Sequence, residues 1–228
     1  NRDGENNNHS WNHGIEGPSS NILIETLRRK QKRNLISSLI LSPGTPMILM
    51  GDEVSRSQGG NNNTWCQNSP LSWMIWDKLK CDLDFFIFVK KLLLIRKKLP
   101  EFFSPNAKSN YSSHNNNEGL WIQWHGIKSN KPDWGHWSHT ISYSINKGEQ
   151  GSIMWLGMNA YTKTMEFDLP KSVSPWKTII NTANEGSETR AYESQNKNQK
   201  SIVLEDRSMS LVISTHYLPR LKEAFKIN

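Results

Sequence analysis

Residues 42–53 read SPGTPMILMGDE, and their order describes a helix exit, a turn and a short apolar run that ends on two carboxylates. Pro43 and Pro46 lack an amide donor and push the residues before them toward extended conformations, so no helix continues through this stretch. Met47 to Met50 shows no polar alternation, the pattern of a strand buried on both faces of a helix-flanked parallel sheet. Gly51 stops the run, and Asp52 and Glu53 follow at once. Carboxylates at the carboxyl end of a parallel strand sit where barrel and open-sheet enzymes keep their sites, so the stretch points to the mouth of a site.

Immediately upstream, Ser19, Ser20 or Asn21 is placed to cap a helix running to about Leu41, with Leu23, Ile24, Leu27, Leu35, Ile36, Leu39 and Ile40 on its buried side. The basic run RRKQKR, Arg28 to Arg33, has no interleaved aromatic platform and reads as a solvated helix face rather than a nucleic-acid contact. Residues 1–20 are nearly free of aliphatic side chains and cannot fold alone, which makes them a frayed tail or a loop laid on something else. Downstream, VSRSQGGNNNTWCQNSPLSWMIWD is long for a loop in a compact domain, and its tryptophans favour a functional segment over disorder. Between about Asp82 and Leu99, the residues Phe85, Phe88, Val89, Leu92, Ile95 and Leu99 share one helical face, and Pro100 ends the helix.

Near residue 104 the texture changes. SPNAKSNYSSHNNNEG is polar and turn-forming, so the chain divides into 1–103, a linker at 104–117 and 118–228. Short β-rich runs then recur at 120–124, 140–145, 152–156, 164–169, 176–181, 201–204 and 210–214 without a helical pattern between them. That spacing indicates an antiparallel sandwich with a core of its own. Residues 184–200 read as an exposed flexible loop. The fold class is therefore an α/β piece followed by an all-β domain.

The net charge of +7 permits an anionic partner without requiring one, and two cysteines, Cys66 and Cys81, make neither a disulfide framework nor a metal spacing. No apolar run reaches the length of a membrane span, so no membrane is expected as partner, and the lack of an aromatic platform in the basic run argues against a nucleic acid. His9 with His13, and His136 with His139, lack further ligands at metal spacing, and no phosphate loop or nucleophile elbow is present. No metal and no cofactor are expected. The chain opens on Asn1 rather than Met, within a stretch that reads as a mid-protein loop, so a targeting signal cannot be judged from it.

A glycosidase needs two carboxylates facing each other across the scissile bond. Asp52 and Glu53 are adjacent on an extended chain and would point to opposite sides, so they are not that pair. Asp3, Glu5 and Glu16 lie on a glycine-rich loop too loose to hold a general acid. The strongest binding candidates are Asn61, Asn62 and Asn63 with Trp65, Trp73 and Trp76. Amides and flat indoles together suit sugars, and the alternative is a loop pinned by its own tryptophans.

The segments NRDGENNNHSWNHGIEG, RRKQKRNLISSLILSPGTPMILMGDE, SRSQGGNNNTWCQNSPLSWMIWD and WHGIKSNKPDWGHWSHTISYSI together resemble the C-terminal third of isoamylase-type debranching enzymes in the α-amylase superfamily. WLGMNAYTKTMEFDLP, WKTIINTA and VLEDRSMSLVIS are similar to that family's closing sandwich. The resemblance implies the C-terminal end of a TIM (β/α)8 barrel, its last strand at Pro46 to Met50, followed by an antiparallel β-sandwich. It implies retaining hydrolysis of α-1,6 branch linkages in glycogen-like α-glucans, in the cytoplasm or in a plastid. The family's nucleophilic Asp, acid/base Glu and second Asp follow strands four, five and seven, upstream of Asn1. No catalytic residue is then expected in this chain, which alone would be inactive. Its partners would be a branched α-glucan and the missing N-terminal barrel segment, in cis or as a separate chain. Asp52, Glu53, Asn61, Asn62, Asn63 and Trp65 remain the substrate-binding candidates. Asn68 and Ser69 stand where the family commonly has an Asp-Asn pair, and Ile75 where it has an acid. The rival from another class is a non-catalytic glucan-binding or interaction module that keeps rim and sandwich.

Overall fold

The computed structural model describes residues 7, 9–103, 119–184 and 199–222. The linker at 104–117 and most of the loop at 184–200 therefore lie outside the described residues. Helix α1 (Ile22–Leu41) starts at Asn21, whose backbone is extended and whose side-chain oxygen accepts the Leu23 amide at 3.0 Å. A single turn, α2 (Lys78–Cys81), leads into α3 (Leu83–Lys98), and Leu99 caps it before Pro100. Phe85, Phe88, Val89, Leu92, Ile95 and Leu99 are all buried, as their spacing predicts.

Seven strands follow: β1 (Leu120–His125), β2 (Thr140–Lys147), β3 (Ser152–Asn159), β4 (Met165–Asp168), β5 (Trp176–Asn181), β6 (Ser201–Leu204) and β7 (Ser208–Ser214), and α4 (Leu218–Leu221) comes after them. Each falls on one of the β-rich runs. Five form an antiparallel sheet in the order β1-β2-β3-β7-β5, and β4 pairs with β6 in a second sheet. The second sheet covers one face of the first over Trp155, Phe167, Leu169, Trp176, Leu204 and Val212. Trp155 lies across Gly157 two residues on, where an added Cβ would come within 2.1 Å of the indole, so glycine makes room for the ring.

Helices α1 and α3 cover the other face. Ile36, Ile40, Phe88, Leu92 and Ile95 join Ile145, Met154, Ile180, Leu211 and Ile213 in one cluster. The sheet is thus sandwiched between a small sheet and a helical layer, and it shares its larger core with residues before 104.

Three expectations are corrected here. Met47 to Met50 is not a strand and not buried: Met47 is 87 % exposed, and Leu49 and Met50 are exposed too. A parallel strand exists through its ladder, and among the described residues none pairs with this segment. Along α1, Leu23, Leu35 and Leu39 are exposed while Arg33, Ile36, Ser37, Ile40 and Leu41 are buried. The helix is apolar on more than one side, and the contacts of α3 and the sheet choose the face. The basic run is not a solvated stripe either. Arg33 is buried with its guanidinium 5.8 Å from the Phe88 ring, Lys32 pairs with Asp82 at 2.8 Å, and Lys30 pairs with Asp206 at 3.5 Å. Their stems pack while the charged heads find partners.

Candidate functional site

The candidate site begins where the chain turns at Gly51. Its φ of 95° is left-handed, and an added Cβ would sit 2.6 Å from Arg56 Cδ, so both conformation and space call for glycine. Asp52–Val54 then forms one 3₁₀ turn anchored by buried Val54, instead of the extended chain expected. Glu53 folds back and its Oε2 accepts the Gly51 amide at 2.9 Å. Asp52 stays exposed. Partial burial and the neighbouring Glu53 carboxylate push its pKa above the usual carboxylate range, against the pull of Arg56.

Arg56 closes the loop that follows. Its Nη1 donates to Met50 O at 3.2 Å and its Nη2 to Leu71 O at 2.8 Å, which brings the two ends of the loop together. Within it, the Asn61 amide donates to Gln58 O at 3.1 Å, and Asn61 Oδ1 accepts the Asn63 amide at 2.9 Å. Thr64 is buried, and next to it Trp65 is 80 % exposed. Trp73 and Trp76 are exposed as well. Burial of Trp65 and Trp76 therefore does not pin this loop; Arg56, the Asn61 turn and Thr64 do. Asn68 Oδ1 accepts the Trp73 indole N–H at 2.9 Å, and Ser69 O accepts the Ser72 and Trp73 amides at 2.9 and 3.2 Å. Asn68 and Ser69 thus support the loop's internal hydrogen bonding.

The structure places Asp52 and Glu53 at the loop's entry and Asn61, Asn62, Asn63 and Trp65 around its middle. Such a surface can stack on an apolar ring face and hydrogen-bond hydroxyls. The turn is fixed below by Lys32, whose ammonium donates to Ser55 Oγ at 2.6 Å and Asp82 Oδ2 at 2.8 Å. Burial alone would raise the Asp82 pKa, but the hydrogen bonds from Lys32 and Ser55 outweigh it and hold the carboxyl below its usual range.

Sequence reasoning missed the residues that organise this region. Arg28 donates to Gly17 O at 2.8 Å, Asn12 O at 2.8 Å and Ile15 O at 2.5 Å, so the segment before α1 is fastened to the chain itself. Glu16 receives Asn12 Nδ2 at 2.9 Å and stands beside Gly60, with its Oε1 3.7 Å from where a Cβ would be. The charge run around Arg28 hides that role, and Arg56 carries no spacing signal. Among the described residues no cluster of three or more His, Cys, Asp or Glu is placed to hold a metal, and no helix is long and apolar enough to cross a membrane.

Residues 123–222 match the family model described as isoamylase 1-3, C-terminal. The chain is 38 % identical to chloroplastic isoamylase 1 of Arabidopsis thaliana over 151 residues, 64 % of this chain and 18 % of that protein. It is 35 % identical to the glycogen operon protein GlgX homolog of Mycobacterium tuberculosis over 185 residues, 75 % of this chain and 26 % of that protein. It is 33 % identical to the glycogen debranching enzyme of Erwinia tasmaniensis over 171 residues, 75 % of this chain and 24 % of that protein. The chain thus spans about a quarter or less of these relatives. Among solved structures, the catalytic module of the glycogen-degrading pneumococcal factor SpuA superposes with a TM-score of 0.60 at 15 % identity, covering 90 % of this chain and 33 % of that one, a likeness of fold. Residues 123–222 are thus similar to isoamylase C-terminal domains, and the chain as a whole is similar to part of isoamylase-type and glycogen debranching enzymes.

Proposed function

We propose that this chain is part of a glycoside hydrolase that cleaves α-1,6 branch linkages of glycogen-like α-glucans with retention, and that Asp52, Glu53, Asn61, Asn62, Asn63 and Trp65 contribute to its substrate-binding rim. The observation that carries the reading is an Arg56-closed loop that leaves Asn62 and the Trp65 indole exposed, in a chain similar to debranching enzymes. Retaining hydrolysis requires two opposed carboxylates. Asp52 and Glu53 share one tight turn, and Glu53 is committed to the Gly51 amide, so neither is assigned a step in the chemistry. The catalytic carboxylates are assigned to a TIM barrel, in cis or on a separate chain. Residues 1–103 would form its closing part, 104–117 the linker and 118–228 the closing sandwich. Exposed Met47, Leu49, Leu35 and Leu39 support a large apolar neighbour. By the same likeness, the protein works in the cytoplasm or, in a photosynthetic eukaryote, in a plastid.

The test measures reducing ends released from a branched glucan. Residues 1–228 alone should release none, the chain joined to a relative's barrel should release them, and Trp65→Ala should weaken glucan binding by the joined form about tenfold. Hydrolysis by the lone chain that disappears in Asp52→Asn would overturn the reading. A non-catalytic glucan-binding module, the second reading, would instead show the Trp65→Ala loss already in the lone chain.

A further inference from the structure

One end of the five-stranded sheet carries aromatic rings that the core does not use. The chain leaves β1 at His125 and returns at Thr140, which lies opposite Asn159 at the end of β3; Ser208, at the start of β7, lies opposite the same residue. The loop 126–139, Tyr161 and Arg207 therefore share this end. In the loop, Trp134 and Trp137 are 61 % and 67 % exposed.

Both rings are held. Trp134 packs edge-on against Trp124 with centroids 5.6 Å apart. Asp133 Oδ1 accepts the Gly135 amide at 3.0 Å, and Gly135 O accepts the Ser138 amide at 2.9 Å. Trp137 lies across Gly135, where an added Cβ would come within 2.3 Å of its ring, and it meets His136 at 4.9 Å between centroids. Tyr161 stacks on His139, 5.8 Å between centroids at 7°, and its carbonyl accepts the Arg207 amide at 3.0 Å. The Arg207 guanidinium in turn lies 5.5 Å from the ring of exposed Trp11. Supported, exposed rings, those of Trp137, Tyr161 and Trp11, thus gather at this end of the sheet.

Rings already fixed lose little freedom when a ligand arrives. Each has a polar neighbour, His136 at Trp137, His139 at Tyr161 and Arg207 at Trp11, rather than the continuous apolar core of a protein interface. Alternating flat faces and polar groups match a chain of sugars, whose rings present C–H faces edged by hydroxyls. We propose that Trp137, Tyr161 and Trp11 form a contact surface for a linear α-1,4-linked segment of the glucan; the identity of the sugar rests on the debranching reading.

The test titrates maltoheptaose into residues 1–228 by calorimetry, with circular dichroism as the fold control. Trp137→Ala should weaken binding about tenfold. Gly135→Ala keeps every indole yet displaces the Trp137 ring, and should weaken binding several-fold. Trp65→Ala is titrated alongside them. Absence of maltoheptaose binding, or parental affinity in both Trp137→Ala and Gly135→Ala, overturns the surface. Loss confined to Trp65→Ala also overturns it, while favouring the rim as an autonomous site. Binding that depends on Trp137, in a chain whose barrel-joined form hydrolyses no branches, upholds the surface and removes the enzyme reading instead.

Discussion

His125 shows how a single side chain sets a pH limit on this fold. It is buried at the end of β1; its Nδ1 accepts the Asn130 amide at 2.8 Å, so the proton sits on Nε2 and is donated to Ser144 Oγ at 2.9 Å. The neutral ring satisfies both partners, whereas a second proton would displace the Asn130 contact. Burial accordingly lowers the His125 pKa from 6.5 to about 4. As pH falls below 6.5 the unfolded histidine takes up a proton that the folded one refuses, so its contribution to stability is intact above 6.5 and drains away toward pH 4. The window amounts to about 3 kcal/mol. Denaturant midpoints of the parent should fall across that window, and the difference from His125→Gln should narrow as they do. A constant difference between the two proteins would show that His125 does not titrate this way. At this scale the candidate site was only partly legible: Asn61, Asn62, Asn63 and Trp65 stand out by residue type, while Arg28 and Arg56 act through backbone carbonyls brought near by folding.

At the scale of elements, the strands were legible because each can satisfy its pattern against a neighbour that is also in the chain. The segment 47–50 has an equally strong apolar pattern but no ladder partner among the described residues, and pattern alone cannot supply one. α1 failed differently, since its several apolar sides left the choice of face to its neighbours. Pro43 stops α1, with Ser42 before it already extended, and a side chain from α3 satisfies the carbonyls left at the exit. Arg96 donates to Ile40 O at 2.6 Å, to Ser42 O at 2.8 Å and to Gly44 O, while its guanidinium lies 5.0 Å from the Phe103 ring. Those carbonyls belong to the helix terminus and its exit, where no further turn provides donors. A lysine cannot present the same planar fork. Arg96→Lys and Arg96→Met should both destabilise the fold, by roughly 1–3 kcal/mol in urea unfolding. An unchanged midpoint in both variants would mean that the exit from α1 is held by other contacts.

For the whole molecule, the decisive feature is that the sheet's larger apolar face belongs to two parts of the chain. An alternating strand pattern tells which residues face inward but not what covers them, so the sequence suggests an autonomous sandwich. The structure instead lays Ile36, Ile40, Phe88, Leu92 and Ile95 over Ile145, Met154, Leu211 and Ile213. Polar contacts fix the same register: Tyr143 Oη donates to Leu41 O at 3.3 Å, Asn34 Nδ2 donates to Arg207 O at 2.8 Å, and Arg220 forks onto the Glu101 carboxylate. Tyr217 packs edge-on against Phe102, 5.2 Å between centroids, and ties the far end of the chain to the helical layer. Residues 119–228 expressed alone would expose that apolar face along with these unpaired groups. They should bind a hydrophobic dye and self-associate in size-exclusion chromatography. Adding residues 1–103 should suppress both effects by restoring the cover, yielding a one-to-one complex. A monomeric, dye-free 119–228 that unfolds cooperatively would show instead that the small sheet over Trp155 and Trp176 is core enough, and that the helical layer rests on the sheet without being needed by it.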